Sequence, residues 1–305
     1  MNLQNKKIEY TGFLKEIYEA GKINKVTNYD ISNNFSIGNK VLGKDLAIIA
    51  GPCSVESEQM IISSAKAVKL AGCDALRAGA YKPCTYPVKD EVNGWQEGMR
   101  EKGLEFLKQA RDISGLQIVS EVMNPNQLEL SHDSIDIIQV GTRNFQNYSL
   151  LDELSMQEKP VILKRGTWAT LEEILGALER LLNGNLKKVA ICLRGVIGAP
   201  PYRHIFKSSR WQPDLMMIQA LKEVSNIPVI YDPSHATGKR SFVKGISLAA
   251  IMCGADGLII EAHPNPPNSI SDPDQAITFE ELNSIVQLSK DTREVYKKFN
   301  TIYQS

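Results

Sequence analysis

Eight short apolar runs recur from residue 45 onward, and they constrain the fold of this chain more than any other feature. Amphipathic stretches with helical spacing fill most of the gaps between them. Runs that are apolar throughout are typical of parallel strands covered on both faces. The runs are LAIIA (46–50), ALRAG (75–79), QIVSE (117–121), DIIQV (136–140), PVILK (160–164), VAICL (189–193), PVIYD (228–232) and GLIIE (257–261).

This alternation predicts an α/β fold. Eight β–α units in about 240 residues fit a (β/α)8 TIM barrel. A doubly wound sheet is the alternative, but no GxGxxG motif follows any run. Two helices have recognisable ends: residues 57–72 begin with serine and end at glycine, and residues 170–184 begin with a Thr170–Glu173 capping pair. We therefore predict a catalytic barrel over residues 45–305.

Residues 1–44 are polar and rich in Asn and Lys, and we interpret them as an N-terminal arm. The pattern over 11–20 predicts a short amphipathic helix, and 22–40 should be loop with at most one short strand. Because the arm is too short for a separate regulatory domain, we expect weak or absent feedback inhibition through such a domain.

The composition gives no support for several classes of partner. Lys+Arg and Asp+Glu number 35 each, so the net charge gives no support for nucleic-acid or membrane-surface binding. The N-terminus has no apolar core of a signal peptide, and no stretch reaches the apolar length of a membrane span. The five scattered cysteines argue against a disulfide framework and favour the reducing cytoplasm.

Reactive residues cluster where the predicted strands end, which is where barrel enzymes carry their chemistry. Cys53, His235 and Glu261 follow or end the first, seventh and eighth runs, and Asp272 lies in the loop after the eighth. This set suits a divalent transition metal. Taken singly, Cys53 also fits a buried apolar role, His235 a hydrogen-bonded loop residue, and the two acids a surface or turn position.

Cations form a second group at the same ends. On a chain of zero net charge, cations gathered at one end of a barrel predict a ligand with phosphate or carboxylate groups. Salt bridges to acids such as Glu121 are the alternative. The group consists of Arg77, Lys82, Arg143, Lys164, Arg165 and Arg194.

Taken together, the strand-end motifs resemble the type I 3-deoxy-D-arabino-heptulosonate 7-phosphate (DAHP) synthases and the related 3-deoxy-manno-octulosonate 8-phosphate synthases. The resemblance covers about 45–285 and rests on AGPCSVES (50–57), GAYKPCT (79–85), SEVMNP (120–125), QVGTRNFQN (139–147), LKRG (163–166), LRG (193–195), DPSHATG (232–238) and ADGLIIEAHPNP (255–266).

The resemblance implies that phosphoenolpyruvate condenses with erythrose 4-phosphate, as in the first step of aromatic amino acid biosynthesis, in a metal-dependent homodimer or homotetramer. It implies that a divalent Mn, Fe, Co or Zn ion binds Cys53, His235, Glu261 and Asp272. Lys82, Lys164 and His235 would take part in catalysis. The implied substrate-binding residues are Arg77, Lys82, Thr85, Arg143, Lys164, Arg194 and Asp232.

Departures from the family pattern lie on the acceptor side. The family's KPRT motif reads KPCT here, with Cys84 in place of an arginine, and Leu193 replaces an acidic residue. A thiol cannot supply the bidentate charge of a guanidinium. Arg203, Lys207 or Arg210 would replace that charge, or the acceptor is a different aldehyde. A non-catalytic ligand-binding barrel is a third reading, opposed by the four metal-ligand candidates.

Overall fold

The N-terminal segment folds onto the barrel rather than standing apart from it. The computed structural model describes residues 12–83, 88–90, 94–96, 98–198 and 210–302. Helices α1 (Gly12–Glu19) and α2 (Asn24–Thr27) precede a 3-10 turn (Ile31–Asn33) and an antiparallel pair of strands, β1 (Ser36–Ile37) and β2 (Lys40–Val41). The prediction of loop with at most one strand over 22–40 was therefore wrong, because these strands are too short for a periodic signal.

Eight parallel strands close into a barrel in chain order, which confirms the predicted (β/α)8 fold. All eight predicted runs form these strands, with ends that differ by at most two residues. They are β3 (Ala47–Gly51), β4 (Ala75–Arg77), β7 (Gln117–Val122), β8 (Ile137–Val140), β9 (Val161–Lys164), β10 (Val189–Leu193), β11 (Val229–Tyr231) and β12 (Gly257–Glu261). A small antiparallel pair, β5 (Val88–Asp90) and β6 (Gly94–Gln96), lies between β4 and the next helix.

Helices alternate with the barrel strands and cover their outer faces. Ser57 caps the first of them, and Thr170 with Glu173 forms the predicted capping box of another. Within the described residues, no helix combines the length and apolar character needed to cross a bilayer. The helices are α3 (Glu58–Leu70), α4 (Arg100–Ser114), α5 (Pro125–Ser131), α6 (Tyr148–Ser155), α7 (Leu171–Leu181), α8 (Met216–Val224), α9 (Pro233–Thr237), α10 (Arg240–Met252) and α11 (Phe279–Ile302).

Two separate apolar clusters follow from the two-residue period of the strands. Alternate residues such as Ile48 and Ala50 pack outward with the helices, while Ile49 and its equivalents fill the barrel. Phe35 and Ile37 of the N-terminal hairpin belong to the inner cluster. The hairpin therefore closes the end of the barrel at which the strands begin.

Hydrogen bonds fix the N-terminal segment to the outside of the barrel. The Glu179 carboxylate accepts from the backbone N–H of Lys25 at 3.0 Å and of Val26 at 2.9 Å. The Ser225 hydroxyl donates to the Val26 carbonyl at 2.6 Å, and the Tyr29 hydroxyl donates to the Lys187 carbonyl at 2.9 Å. These contacts join the segment to residues that lie far along the chain.

Candidate metal centre and anion pocket

The inward columns of the barrel end in polar side chains at one rim. Side chains point into the barrel at every second residue of a strand. After the small or apolar inward residues of each strand, the next inward position holds a polar side chain or a thiol. These end positions are Cys53, Arg77, Glu121, Gln139, Lys164, Arg194, Asp232 and Glu261, and all eight are buried. A layer of chemically active groups therefore lies on top of the apolar barrel core.

Four of the predicted residues bring a ligand atom to one point. One sulfur, nitrogen or oxygen atom from each of Cys53, His235, Glu261 and Asp272 lies within 4.8 Å of the others. His235 Nε2 is 3.6 Å from Cys53 Sγ and 3.7 Å from both Glu261 Oε2 and Asp272 Oδ2. Tetrahedral bonds of 2.0–2.3 Å would place such atoms about 3.3–3.8 Å apart. The spacing and the mixed S/N/O donors fit a divalent transition metal.

The protonation of this cluster also suits a metal ion. Burial raises the pKa of the Glu261 carboxyl to about 7, and nearby Asp272 adds to the effect. Burial likewise raises the pKa of the Cys53 thiol and lowers that of His235 well below its ordinary value. Glu261 Oε1 is buried and has no hydrogen-bond partner among the described residues. A bound cation would offset the burial cost of the Glu261 carboxylate and of the Cys53 thiolate.

Asp232 lies behind the candidate ligand His235 rather than in the open rim. Its Oδ1 accepts from the His235 backbone N–H at 2.8 Å, which caps helix α9. Its Oδ2 contacts Lys164 Nζ and lies 2.8 Å from His235 Nδ1. Burial alone would raise the pKa of Asp232, but His235 and Lys164 hold it well below its ordinary value. A carboxylate at Nδ1 favours the tautomer that leaves Nε2 available to a metal.

Two buried arginines provide an anion pocket beside these ligands. Nε and Nη2 of Arg77, and Nε of Arg194, are buried without a hydrogen-bond partner in the part of the chain that the structure describes. Burial lowers the pKa of Arg194 to about 10. Its Nη2 donates to the His235 carbonyl at 3.0 Å, so its position is fixed. Buried guanidinium groups with unused donors suit an anionic ligand.

Other predicted cations have more varied positions. Arg143 is exposed beyond β8 and donates to the Pro83 carbonyl at 3.3 Å. Burial would lower the pKa of Lys82, but Cys53, Glu121 and Asp272 around it raise that pKa. Arg165 directly follows Lys164, so its side chain points away from the barrel interior. Its Nη1 lies 2.5 Å from Asp214 Oδ2. Thr85, Cys84, Arg203 and Lys207 lie outside the described residues.

Four further polar residues belong to this rim. Glu121 and Gln139 follow inward residues of β7 and β8 by two positions, a signal that the sequence carried. The absent side chain of Gly141 makes room for Glu121, since a Cβ there would lie 1.8 Å from Oε1. Arg210 and Gln275 lie on loops and carried no such signal. Arg210 Nη1 donates to Asp272 Oδ1 at 2.7 Å, so this guanidinium is engaged with a candidate ligand.

Comparison with known proteins agrees with this rim. A model of the DAHP synthetase I family matches residues 26–298. The chain belongs to the DAHP synthetase I family. It is 39% identical over 243 residues to a phospho-2-dehydro-3-deoxyheptonate aldolase of Thermotoga maritima. The aligned region covers 80% of this chain and 68% of the relative. A 2-dehydro-3-deoxyphosphooctonate aldolase of Legionella pneumophila is 24% identical over 85% of this chain and 96% of its own length.

Solved structures of DAHP synthases share the fold. The crystal structure of the Thermotoga maritima DAHP synthase superposes with a TM-score of 0.77 at 37% identity, over 86% of this chain and 74% of that one. A truncated form of the Thermotoga enzyme gives a TM-score of 0.75 at 35% identity and is covered over 92% of its length. Membership in the DAHP synthetase I family makes the chain an enzyme, and metal dependence is general in that family.

Proposed function

We propose that this chain catalyses the condensation of phosphoenolpyruvate with erythrose 4-phosphate to give DAHP and phosphate. The observation that carries the proposal is the pairing of two features at one rim. Buried guanidinium nitrogens of Arg77 and Arg194 have no hydrogen-bond partner within the described ranges, and an S/N/O ligand set lies beside them. An anion and a divalent cation held side by side are what a reaction of phosphoenolpyruvate with a polarised aldehyde needs. Family membership supports the same reaction.

Cys53, His235, Glu261 and Asp272 would hold the divalent ion, for which Mn, Fe, Co and Zn all suit the ligand types. When bound, the ion supplies Lewis acidity that polarises the acceptor aldehyde. We assign Asp232 to the support of His235 rather than to substrate contact, because it is fully buried between His235 and Lys164.

The cations of the rim would bind and orient phosphoenolpyruvate. Arg77, Lys82, Arg143, Lys164 and Arg194 would neutralise its phosphate and carboxylate and hold C3 in line with the aldehyde carbon. C3 then forms the new carbon–carbon bond, water adds at C2, and phosphate leaves with cleavage of its C–O bond. Lys82 or Lys164 would transfer a proton, either to the aldehyde oxygen as it becomes a hydroxyl or from the water that adds at C2. Thr85 would contact the phosphate of the sugar.

The reaction itself provides the test. Metal-loaded protein incubated with both substrates should release one phosphate for each 3-deoxy-2-keto acid formed. Cys53→Ala and His235→Ala should each abolish turnover and lower metal content, with exposed Arg180→Ala as the control. No turnover with any of the four metals would refute the proposed reaction, and full activity of both ligand variants would refute the ligand set.

A different aldehyde acceptor is the second candidate, and Cys84 in the KPCT motif favours it. A thiol offers no charge to the phosphate of a sugar. A panel of aldoses and aldose phosphates would distinguish the candidates by kcat/KM. A strong preference for erythrose 4-phosphate would exclude the second candidate.

We also propose a homodimer or homotetramer in the cytoplasm, on the strength of the family resemblance. Cys53, Cys73, Cys192 and Cys253 are free thiols, which fits a reducing compartment. Light scattering after size-exclusion chromatography would measure the assembly. A monomer at micromolar concentration would contradict the oligomer.

A further inference from the structure

Two side chains lie immediately behind the candidate metal ligands. Arg210 Nη1 donates to Asp272 Oδ1 at 2.7 Å and to Gln275 Oε1 at 3.3 Å. Gln275 Nε2 in turn donates to Glu261 Oε2 at 2.6 Å. The guanidinium is therefore connected, directly or through one amide, to both carboxylates of the ligand set.

These hydrogen bonds orient both carboxylates, and in Asp272 they separate the tasks of the two oxygens. Asp272 Oδ1 is held by Arg210, whereas Oδ2 lies 3.7 Å from His235 Nε2 and 4.0 Å from Cys53 Sγ. Glu261 Oε2 accepts from Gln275 and also lies 3.7 Å from His235 Nε2, while Oε1 has no partner among the described residues. Asp272 thus keeps Oδ1 on a protein donor and directs Oδ2 to the centre, and each of the two carboxylates is held by a side chain behind it.

The backbone of Asp272 gives a reason why such support is needed. Its φ is +54°, one of two positive values at described residues other than glycine. Aspartate enters this left-handed region more readily than most residues, and the conformation persists where surrounding contacts over-determine it. The charged hydrogen bond from Arg210 is one such contact, and the Gln275 backbone N–H, which donates to the Asp272 carbonyl at 3.2 Å, is another.

The backbone of Arg210 is itself anchored to the segment that carries His235. Its N–H donates to the Thr237 carbonyl at 3.0 Å, two residues beyond His235 on helix α9. Through its side chain it then reaches the loop after β12. Arg210 therefore spans two of the segments that carry ligands, and it does so from the loop after β10.

We propose that Arg210 is a positioning residue of the metal centre, acting through Asp272 and Gln275, and not the replacement for the missing acceptor arginine. The inference rests on the proposed metal site. It assigns to the loop after β10 a role in metal affinity. Groups of this kind behind metal ligands contribute about 10- to 100-fold in affinity.

Cobalt binding tests the proposal with a readout other than activity. Co²⁺ would be titrated into metal-free protein against a competing chelator, and the thiolate-to-cobalt absorption band would report occupancy. Arg210→Met should weaken the affinity about 10- to 100-fold, and Arg210→Lys should lie between it and wild type. Arg180→Met, at an exposed Arg180–Asp152 pair, should leave the affinity unchanged.

A double-mutant cycle identifies the partner through which Arg210 acts. Asp272→Gly removes the carboxylate and tolerates a positive φ. In that background, Arg210→Met should weaken Co²⁺ binding by less than about 3-fold, because the coupled partner is gone. An unreduced effect would refute action through Asp272.

Steady-state kinetics distinguish positioning from substrate binding. At saturating Co²⁺, Arg210→Met should keep the KM for the sugar phosphate within about 2-fold of wild type, because a positioning residue of the metal centre leaves sugar binding unaltered. Unchanged Co²⁺ affinity with a KM raised tenfold or more would overturn the proposal and make Arg210 an acceptor residue. If Cys53→Ala binds Co²⁺ as tightly as wild type, the proposed metal site fails independently of Arg210.

Discussion

Replacement of Glu261 by glutamine should stabilise the metal-free protein while weakening its metal binding. Burial raises the pKa of this carboxyl from an ordinary value of 4.5 to about 7. Between these values the unfolded chain is ionised and the folded site is protonated, so wild-type stability falls as pH rises. At about 1.4 kcal/mol per pKa unit, the loss reaches about 3 kcal/mol above pH 7. Glutamine is not ionised and avoids this loss.

The measurement is urea unfolding of chelator-treated wild type and Glu261→Gln from pH 5 to 8.5. The variant should gain little at pH 5 and about 3 kcal/mol at pH 8.5, because its amide can still accept from Gln275. The same variant should bind Co²⁺ at least about tenfold more weakly. Glu223→Gln, at an exposed carboxylate, is the control. Parallel pH profiles for wild type and Glu261→Gln would refute the argument that burial of this charge is costly.

Three further substitutions test other parts of the rim. Arg77→Met should raise the KM for phosphoenolpyruvate about 30-fold or more at saturating metal, because a buried charge contact is worth at least about 2 kcal/mol. An unchanged KM would show that Arg77 does not bind the substrate. Asp232→Asn should lower kcat about 10- to 100-fold, since it disturbs both His235 and Lys164, and nitrogen NMR of the His235 ring should report a changed tautomer; an unaltered ring signal would contradict this. Cys84→Arg should raise kcat/KM for erythrose 4-phosphate if a guanidinium is what the acceptor site lacks, and identical kinetics would count against that idea.

Local patterns in the sequence were sufficient to predict most of the barrel. The eight apolar runs form the eight parallel strands, and the Thr170–Glu173 pair forms the capping box. Both signals depend on residues within a few positions of one another, so they are readable before the chain folds. The hairpin after residue 35 escaped detection, because strands of two residues have no period.

Whether a side chain at the rim points into the barrel or out of it depends on its position in the two-residue repeat of its strand. Lys164 and Arg165 are neighbours in sequence, but the barrel turns the first inward to Asp232 and the second outward to Asp214. The two-residue period contains this information once the inward residues of a strand are known. The same period would have identified Gln139 and Glu121.

The sequence by itself determined the eight strands and which reactive residues stand at their ends. Only the tertiary structure decided how the ends meet. Arg210 contacts Asp272 across 62 residues, and Lys164 contacts Asp232 across 68. Contacts of this kind depend on closure of the barrel and on loop paths, which no local periodicity encodes. Closure turns four scattered ligand candidates into one cluster and places an arginine behind it.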